Sequence, residues 1–308
     1  MTAIRLAIVG LGKIARDRHI PAIAGIPGIE LAAVADPVAR FDGVAHFASL
    51  GDLLTKTPQI DAVALCTPPQ ARGALAAMAL AAGKHVLLEK PPAATLSEIA
   101  PLTALAAASG KTLYATWHSR FAPAVEPARA LLTTANIHSV AIEWKEDVRV
   151  WHPGQRWIWE PGGFGVFDPG INALSILTRI LPRAFSLTRA ELAFPENSAA
   201  PIAADLDFSD PTGLPIHAAF DFRQIGSPIW EIRVETDDGR LTLSAGGAKL
   251  FRNELTLVDQ SKAEYPAIYQ RFLELIGRAA SDVDLAPLAH VADAFMLGRR
   301  VVVEAFEP

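Results

Sequence analysis

The residues Val9-Gly10-Leu11-Gly12-Lys13-Ile14-Ala15 constrain this 308-residue chain more than any other stretch. They follow an apolar, strand-like run at 4–9 and open a helical pattern at 14–24. In that context Gly-x-Gly-x-x-Ala specifies a strand–turn–helix junction that holds a diphosphate. Gly10 permits the tight turn, Gly12 lets the backbone approach the phosphates, and Ala15 lets the helix pack on the strand. Leu11, Lys13 and Ile14 complete the loop at the helix N-terminus, where unpaired N–H groups and the helix dipole favour an anion.

The rest of the N-terminal third repeats the alternation. Apolar runs at 31–35, 62–66, 85–88 and 112–115 read as buried strands, and Ala/Leu-rich segments at 70–82 and 97–109 read as helices, with Gly83 and Gly110 at their ends. This pattern predicts an α/β, doubly wound Rossmann domain over 1–120. Asp36 ends the second strand about 20 residues beyond the loop, where a carboxylate accepts hydrogen bonds from the adenosine ribose. NAD is therefore expected before NADP, with Arg40 as a donor that keeps NADP open. After a bridging helix at 121–132 the pattern changes to strands at 139–144, 190–194, 202–208, 216–221, 230–236 and 240–244, interrupted by a helix at 171–180. Helices at 265–279 and 287–304 close the chain. The expectation for 121–308 is an α+β domain with a large, mostly antiparallel open sheet.

Composition removes several function classes. A net charge of −5 and the absence of a Lys/Arg cluster give no attraction for nucleic acid or an anionic membrane surface. The single cysteine, Cys66, excludes an intramolecular disulfide and a multi-cysteine metal site, and the eight histidines lack ligand-like spacing, so no metal is expected. No apolar run reaches the ~20 residues of a membrane span, and none opens the chain as a signal segment, so the cytoplasm is the expected compartment.

Two further segments end strands at the edge where open parallel sheets bind ligands: Cys66-Thr67-Pro68-Pro69 and Glu89-Lys90-Pro91. Together with the glycine loop they resemble the glucose–fructose oxidoreductase/inositol dehydrogenase (Gfo/Idh/MocA) family over essentially the whole chain. The resemblance implies that Cys66, Thr67, Pro68, Glu89 and Lys90 adjoin the cofactor and that Lys90 lies by the nicotinamide. It also implies acid–base groups from a second-domain stretch, matched here by Gly162-Gly163-Phe164-Gly165-Val166-Phe167-Asp168-Pro169-Gly170-Ile171-Asn172. The Asp is present as Asp168; the family's His is replaced by Asn172. Asp168 read alone also suits a helix N-cap, with Pro169 as the first helical residue.

The replacement of histidine carries a chemical expectation. An imidazole with a pKa of ~6.5 is a better base near neutrality than a carboxylate at ~3.9. A weaker base suits a more acidic hydroxyl, and a cyclic hemiacetal offers one at C1 of an aldose. The segments 116–121, 144–147 and 151–159 further resemble the family's bacterial sugar 1-dehydrogenases for L-arabinose and D-galactose, which implies that His118, Glu146, Trp151 and Trp230 line a sugar pocket with Lys90, Asp168 and Asn172. The expected reaction is NAD(P)-dependent oxidation of the anomeric carbon to a lactone. Asp168 is the expected base and Lys90 orients the C1 oxygen, while Lys90 as the base stays open. Other readings are an inositol, polyol or dihydrodiol dehydrogenase of the same family, or a dinucleotide-binding redox sensor. A homo-oligomer such as a dimer is expected from the family alone.

Overall fold

A computed structural model describes residues 3–57, 59–261 and 263–307. It divides into two compact units, residues 1–118 with 264–284, and residues 119–263 with 285–308.

The strands of the first unit are β1 (Ile4–Val9), β2 (Ile29–Ala35), β3 (Ala45–Phe47), β4 (Ala62–Leu65), β5 (His85–Leu88) and β6 (Leu113–Ala115). They form a parallel sheet in the order β3-β2-β1-β4-β5-β6. The order reverses between β1 and β4, whose C-terminal ends carry Gly10 and Cys66. β4 is buried throughout and β1 along its second half, as strands covered on both faces must be. The segment expected as one helix at 14–24 is a π-helical turn, Ala15–His19, followed by the α-helix Ile20–Ala24. The wide turn turns His19 into the interior, where it is fully buried.

The expected boundary at 120 puts everything from 121 onward in one domain. The structure corrects this, because helix Glu264–Gly277 belongs to the first unit. It buries Tyr265, Ile268, Tyr269, Phe272 and Leu275 on one face, and Ser281 and Asp282 then bond the backbone of β6. Periodicity identifies such a helix but says nothing of which sheet receives its apolar face.

In the second unit the strands are β7 (Ile137–Lys145), β8 (Ser186–Pro195), β9 (Ala203–Ser209), β10 (Pro215–Asp221), β11 (Ile229–Thr236), β12 (Gly239–Ser244), β13 (Lys249–Arg252), β14 (Leu255–Asp259) and β15 (Arg299–Val303). Their order is β14-β13-β12-β11-β7-β10-β9-β8-β15, antiparallel except where β10 meets β7 and β15 meets β8. The helix expected at 287–304 ends early: Ala286–Leu297 is helical and the Val-rich end, 299–303, adds β15 to the sheet edge. Strands β7 and β11 alternate in burial. Ile142, Trp144, Ile232 and Val234 face the core, while Glu143, Lys145, Glu231 and Arg233 form ion pairs on the other face. Helix Phe167–Ile180, almost wholly buried, crosses the apolar face. Among the described residues no helix is long and apolar enough to cross a membrane.

Candidate active site

In the first unit the glycine loop has the conformation its spacing predicts. Gly10 has φ +89°, and an added Cβ would lie 2.9 Å from the Thr67 backbone nitrogen and 3.1 Å from Cys66 C. Gly10→Ala is expected to destabilise the unit by about 1–3 kcal/mol, read by denaturant unfolding, and to weaken dinucleotide binding. A Cβ on Gly12 meets no atom within 4 Å. Among the described residues nothing therefore demands glycine there, whereas a phosphate approaching the backbone does. Thr67 adds a second sign of a ligand, because its buried Oγ1 has no hydrogen-bond partner among the described residues. These features fit a dinucleotide, which Gly10, Leu11, Gly12, Lys13, Ile14, Asp36, Thr67 and Pro68 would hold. Pro68 precedes the helix Pro69–Ala81, so this turn too carries a helix N-terminus. Lys13 is paired on the surface with Asp17.

Asp36 accepts from Leu11 N–H (2.8 Å), Val38 N–H (2.9 Å) and Ala39 N–H (2.7 Å), so it ties the phosphate loop to the end of β2. Partial burial opposes its charge, but the three donors outweigh this and lower its pKa. Arg40 is exposed beside it, with one guanidinium nitrogen 3.3 Å from His46 Nδ1.

Glu89, expected to adjoin the cofactor, has its side chain among buried polar groups. It is 2 % exposed and points into the unit. Its Oε1 accepts from Tyr265 OH (2.6 Å) and lies 3.0 Å from His19 Nε2, and its Oε2 accepts the Lys90 N–H at 2.7 Å. His19 Nδ1 lies 2.6 Å from Tyr269 OH. Burial opposes the charge of both members of this pair. Hydrogen bonds and charge from His19, with His118 and Tyr265, nevertheless hold Glu89 far below the usual carboxylate range. Cys66, Tyr269 and Glu89 raise His19 well above its ordinary value. Burial pushes Tyr269 up to about 12. Buried Arg72 donates to Glu89 O (2.6 Å) and to Pro91 O, so Lys90 is fixed by backbone clamps on either side. His118 Nδ1 lies 3.0 Å from Glu264 Oε2, and the ring stacks on Tyr265.

In the second unit Asp168 lies in the first turn of Phe167–Ile180. Val166 is the N-cap and makes no side-chain cap bond, so the capping reading of Asp168 does not hold. Asn172 is one turn along and half-buried. The loop before the helix presses against its neighbours: a Cβ on Gly163 would lie 2.2 Å from Trp157 O.

Asp168 ends a chain of polar side chains. Trp230 Nε1 donates to Glu146 Oε2 (2.8 Å), Glu146 Oε1 lies 2.8 Å from His152 Nε2, and His152 Nδ1 lies 3.6 Å from Asp168 Oδ2. The arrangement follows from pairing. β7 and β11 put Trp144 opposite Trp230, and Glu146 follows β7 and is pinned by its N–H on Asp221 O. Asp147 then caps the short helix Val148–Trp151, which turns His152 back toward Glu146. Trp151 is 41 % exposed and meets Trp230 edge-on at 4.7 Å. Sequence reading singled out Glu146, Trp151, Trp230 and Asp168 but passed over His152.

A Rossmann unit with an intact phosphate loop and a positioned lysine, in one chain with a sheet unit bearing a buried carboxylate, defines a dinucleotide-dependent oxidoreductase. Residues 4–116 match the Gfo/Idh/MocA model, described as an oxidoreductase family with an NAD-binding Rossmann fold. The chain is 49% identical over 306 residues to a galactose 1-dehydrogenase of Pseudomonas fluorescens, covering 99% of each. The crystal structure of a D-galactose-1-dehydrogenase protein from Rhizobium etli superposes with a TM-score of 0.95 at 56% identity, covering 100% of this chain and 99% of that one. A 3-ketoreductase from Actinomadura kijaniata, solved with NADP, shares the fold alone, at 19% identity and a TM-score of 0.86 over 98% of this chain and 100% of that one. The chain belongs to the Gfo/Idh/MocA oxidoreductase family.

Proposed function

We propose that the protein is an NAD(P)-dependent aldose 1-dehydrogenase, which oxidises the anomeric carbon of D-galactose, L-arabinose and pyranoses of the same ring stereochemistry to the lactone. The observation that carries this reading is the second unit's buried carboxylate, Asp168, with asparagine rather than histidine one turn on and the Trp151–Trp230 pair at the far end of the same polar chain. Two full-length relatives named for galactose 1-dehydrogenation support it.

Each residue has a defined task. The tryptophan faces stack on the apolar side of a pyranose, and Glu146, His118 and Asn172 fix its hydroxyls. Asp168 takes the proton of the C1 hydroxyl, and the Lys90 ammonium orients and stabilises that oxygen as negative charge grows on it. The bound nicotinamide supplies the hydride acceptor. Its ribose side is selected by Asp36, whose negative charge disfavours a 2′-phosphate, while Arg40 leaves NADP a donor. NAD is therefore preferred and NADP accepted.

Nicotinamide absorbance followed with NAD or NADP across aldoses and polyols tests the reading. D-Galactose and L-arabinose are expected to be oxidised at similar kcat/KM, and myo-inositol at least ~100-fold less well. Turnover of inositol with no aldose activity refutes the substrate assignment, and no reduction with any sugar refutes the activity.

A further inference from the structure

We propose that His152 is a positioning residue that receives the substrate proton from Asp168, so that it supplies the imidazole missing at position 172. The inference rests on the reaction proposed above and assigns its proton a path. His152 stands between two buried carboxylates, with side-chain exposures of 4% for Glu146, 15% for His152 and 6% for Asp168. A carboxylate only accepts, so the proton between Glu146 Oε1 and His152 Nε2, 2.8 Å apart, belongs to the imidazole. In the neutral ring Nδ1 then presents its lone pair, and Nδ1 is the atom 3.6 Å from Asp168 Oδ2. The Trp230 bond fixes Glu146, and the bond from the His152 main-chain N–H to Val148 O (2.8 Å) fixes the backbone that carries the ring. Phe222 packs against the ring at 5.6 Å and adds no charge.

The step balances. The C1 O–H bond breaks and its proton goes to Asp168; the C1–H pair leaves as hydride to the nicotinamide, and the C1=O bond forms. The proton then passes from Asp168 to His152 Nδ1, which makes an imidazolium held between Asp168 and Glu146; Nδ1 is itself buried, so the proton goes to water only after the lactone has left. Sugar and oxidised cofactor become lactone, reduced cofactor and one proton. An imidazole is the stronger base of the pair by about two to three pKa units in their unperturbed forms, so Asp168 is returned to its basic form each turnover.

Three variants test this. His152→Asn is expected to lower kcat by about 10²-fold or more with KM for galactose little changed, and to move the acid limb of the kcat–pH profile to lower pH, where Asp168 alone governs it. His152→Ala is expected to regain at least tenfold with added imidazole, in proportion to its free base. Glu146→Gln keeps an acceptor for Nε2 but removes the charge that stabilises the imidazolium, so its acid limb moves to lower pH. Dinucleotide binding by fluorescence confirms that each variant is folded. A kcat within twofold of the parent, a change in KM alone, or an unmoved pH profile in Glu146→Gln overturns the relay. If the parent oxidises a polyol but no aldose, the substrate reading has failed, and the same variants judge the relay on that polyol.

Discussion

Asp168→Asn is expected to lower kcat by about 10²–10⁴-fold while leaving dinucleotide affinity unchanged, because it removes the acceptor of the substrate proton and keeps the side-chain volume. The substitution tests chemistry rather than packing. Asp168 is not the cap of its helix, whose N-cap is Val166, and the loss of a first-turn carboxylate facing the helix dipole costs about 0.3–1 kcal/mol, too little to unfold the unit. Lys90→Met separates the two candidate bases. With Asp168 as base, Lys90→Met loses orientation and charge stabilisation and slows the reaction, but Asp168→Ala is slower still. Near-normal turnover in Asp168→Ala together with loss in Lys90→Met makes Lys90 the base.

The second large effect concerns stability. Replacing Glu89 by Leu leaves His19 buried without its carboxylate, and removing one member of such a pair costs about 3–5 kcal/mol. The pair also predicts a pH dependence. Glu89 is depressed from its ordinary 4.5, so its contribution is present above that pH and is lost as pH falls below it. His19 is raised above 6.5, so its contribution is complete below that pH and is lost as pH rises past it. Unfolding free energy is therefore expected to gain most from the pair between pH 4.5 and 6.5. Both limbs are expected to flatten in Glu89→Gln, as measured by urea unfolding across pH. Unchanged pH slopes in that variant contradict the assignment. Because Glu89 also accepts the Lys90 N–H, the same variant is expected to slow turnover through Lys90.

The parts of this protein legible from sequence are those written in local spacing. The glycine loop, Asp36 and the Glu-Lys-Pro turn each occupy one strand end, and period and turn chemistry suffice to place them. Asp168 and Asn172 were legible through the family resemblance, and their four-residue spacing then puts them one helical turn apart. Long-range partners were not. His19 meets Tyr269 across 250 residues and Tyr265 meets Glu89 across 176, so no window of sequence contains either pair. His152 hides for a different reason: a histidine among tryptophans resembles packing until the β7–β11 register brings Trp230 to Glu146. β13 and β14 carry little sequence signal because they are short, with one fully buried residue between them, and are joined by a turn with Asn253 at φ +52°. Glu89 marks a limit of motif reading. The motif points to chemistry at its lysine, whereas Glu89 bonds to His19, Tyr265 and the Lys90 N–H in the scaffold beneath it.

The central claim, oxidation at the anomeric carbon, is tested most directly with D-galactose carrying deuterium at C1. The label is predicted to appear on the reduced cofactor in stoichiometric amount, with a lactone or its hydrolysis product as the sole sugar product. Reduced cofactor free of deuterium, with the label retained on an oxidised sugar, contradicts the account, because the hydride must then have left another carbon.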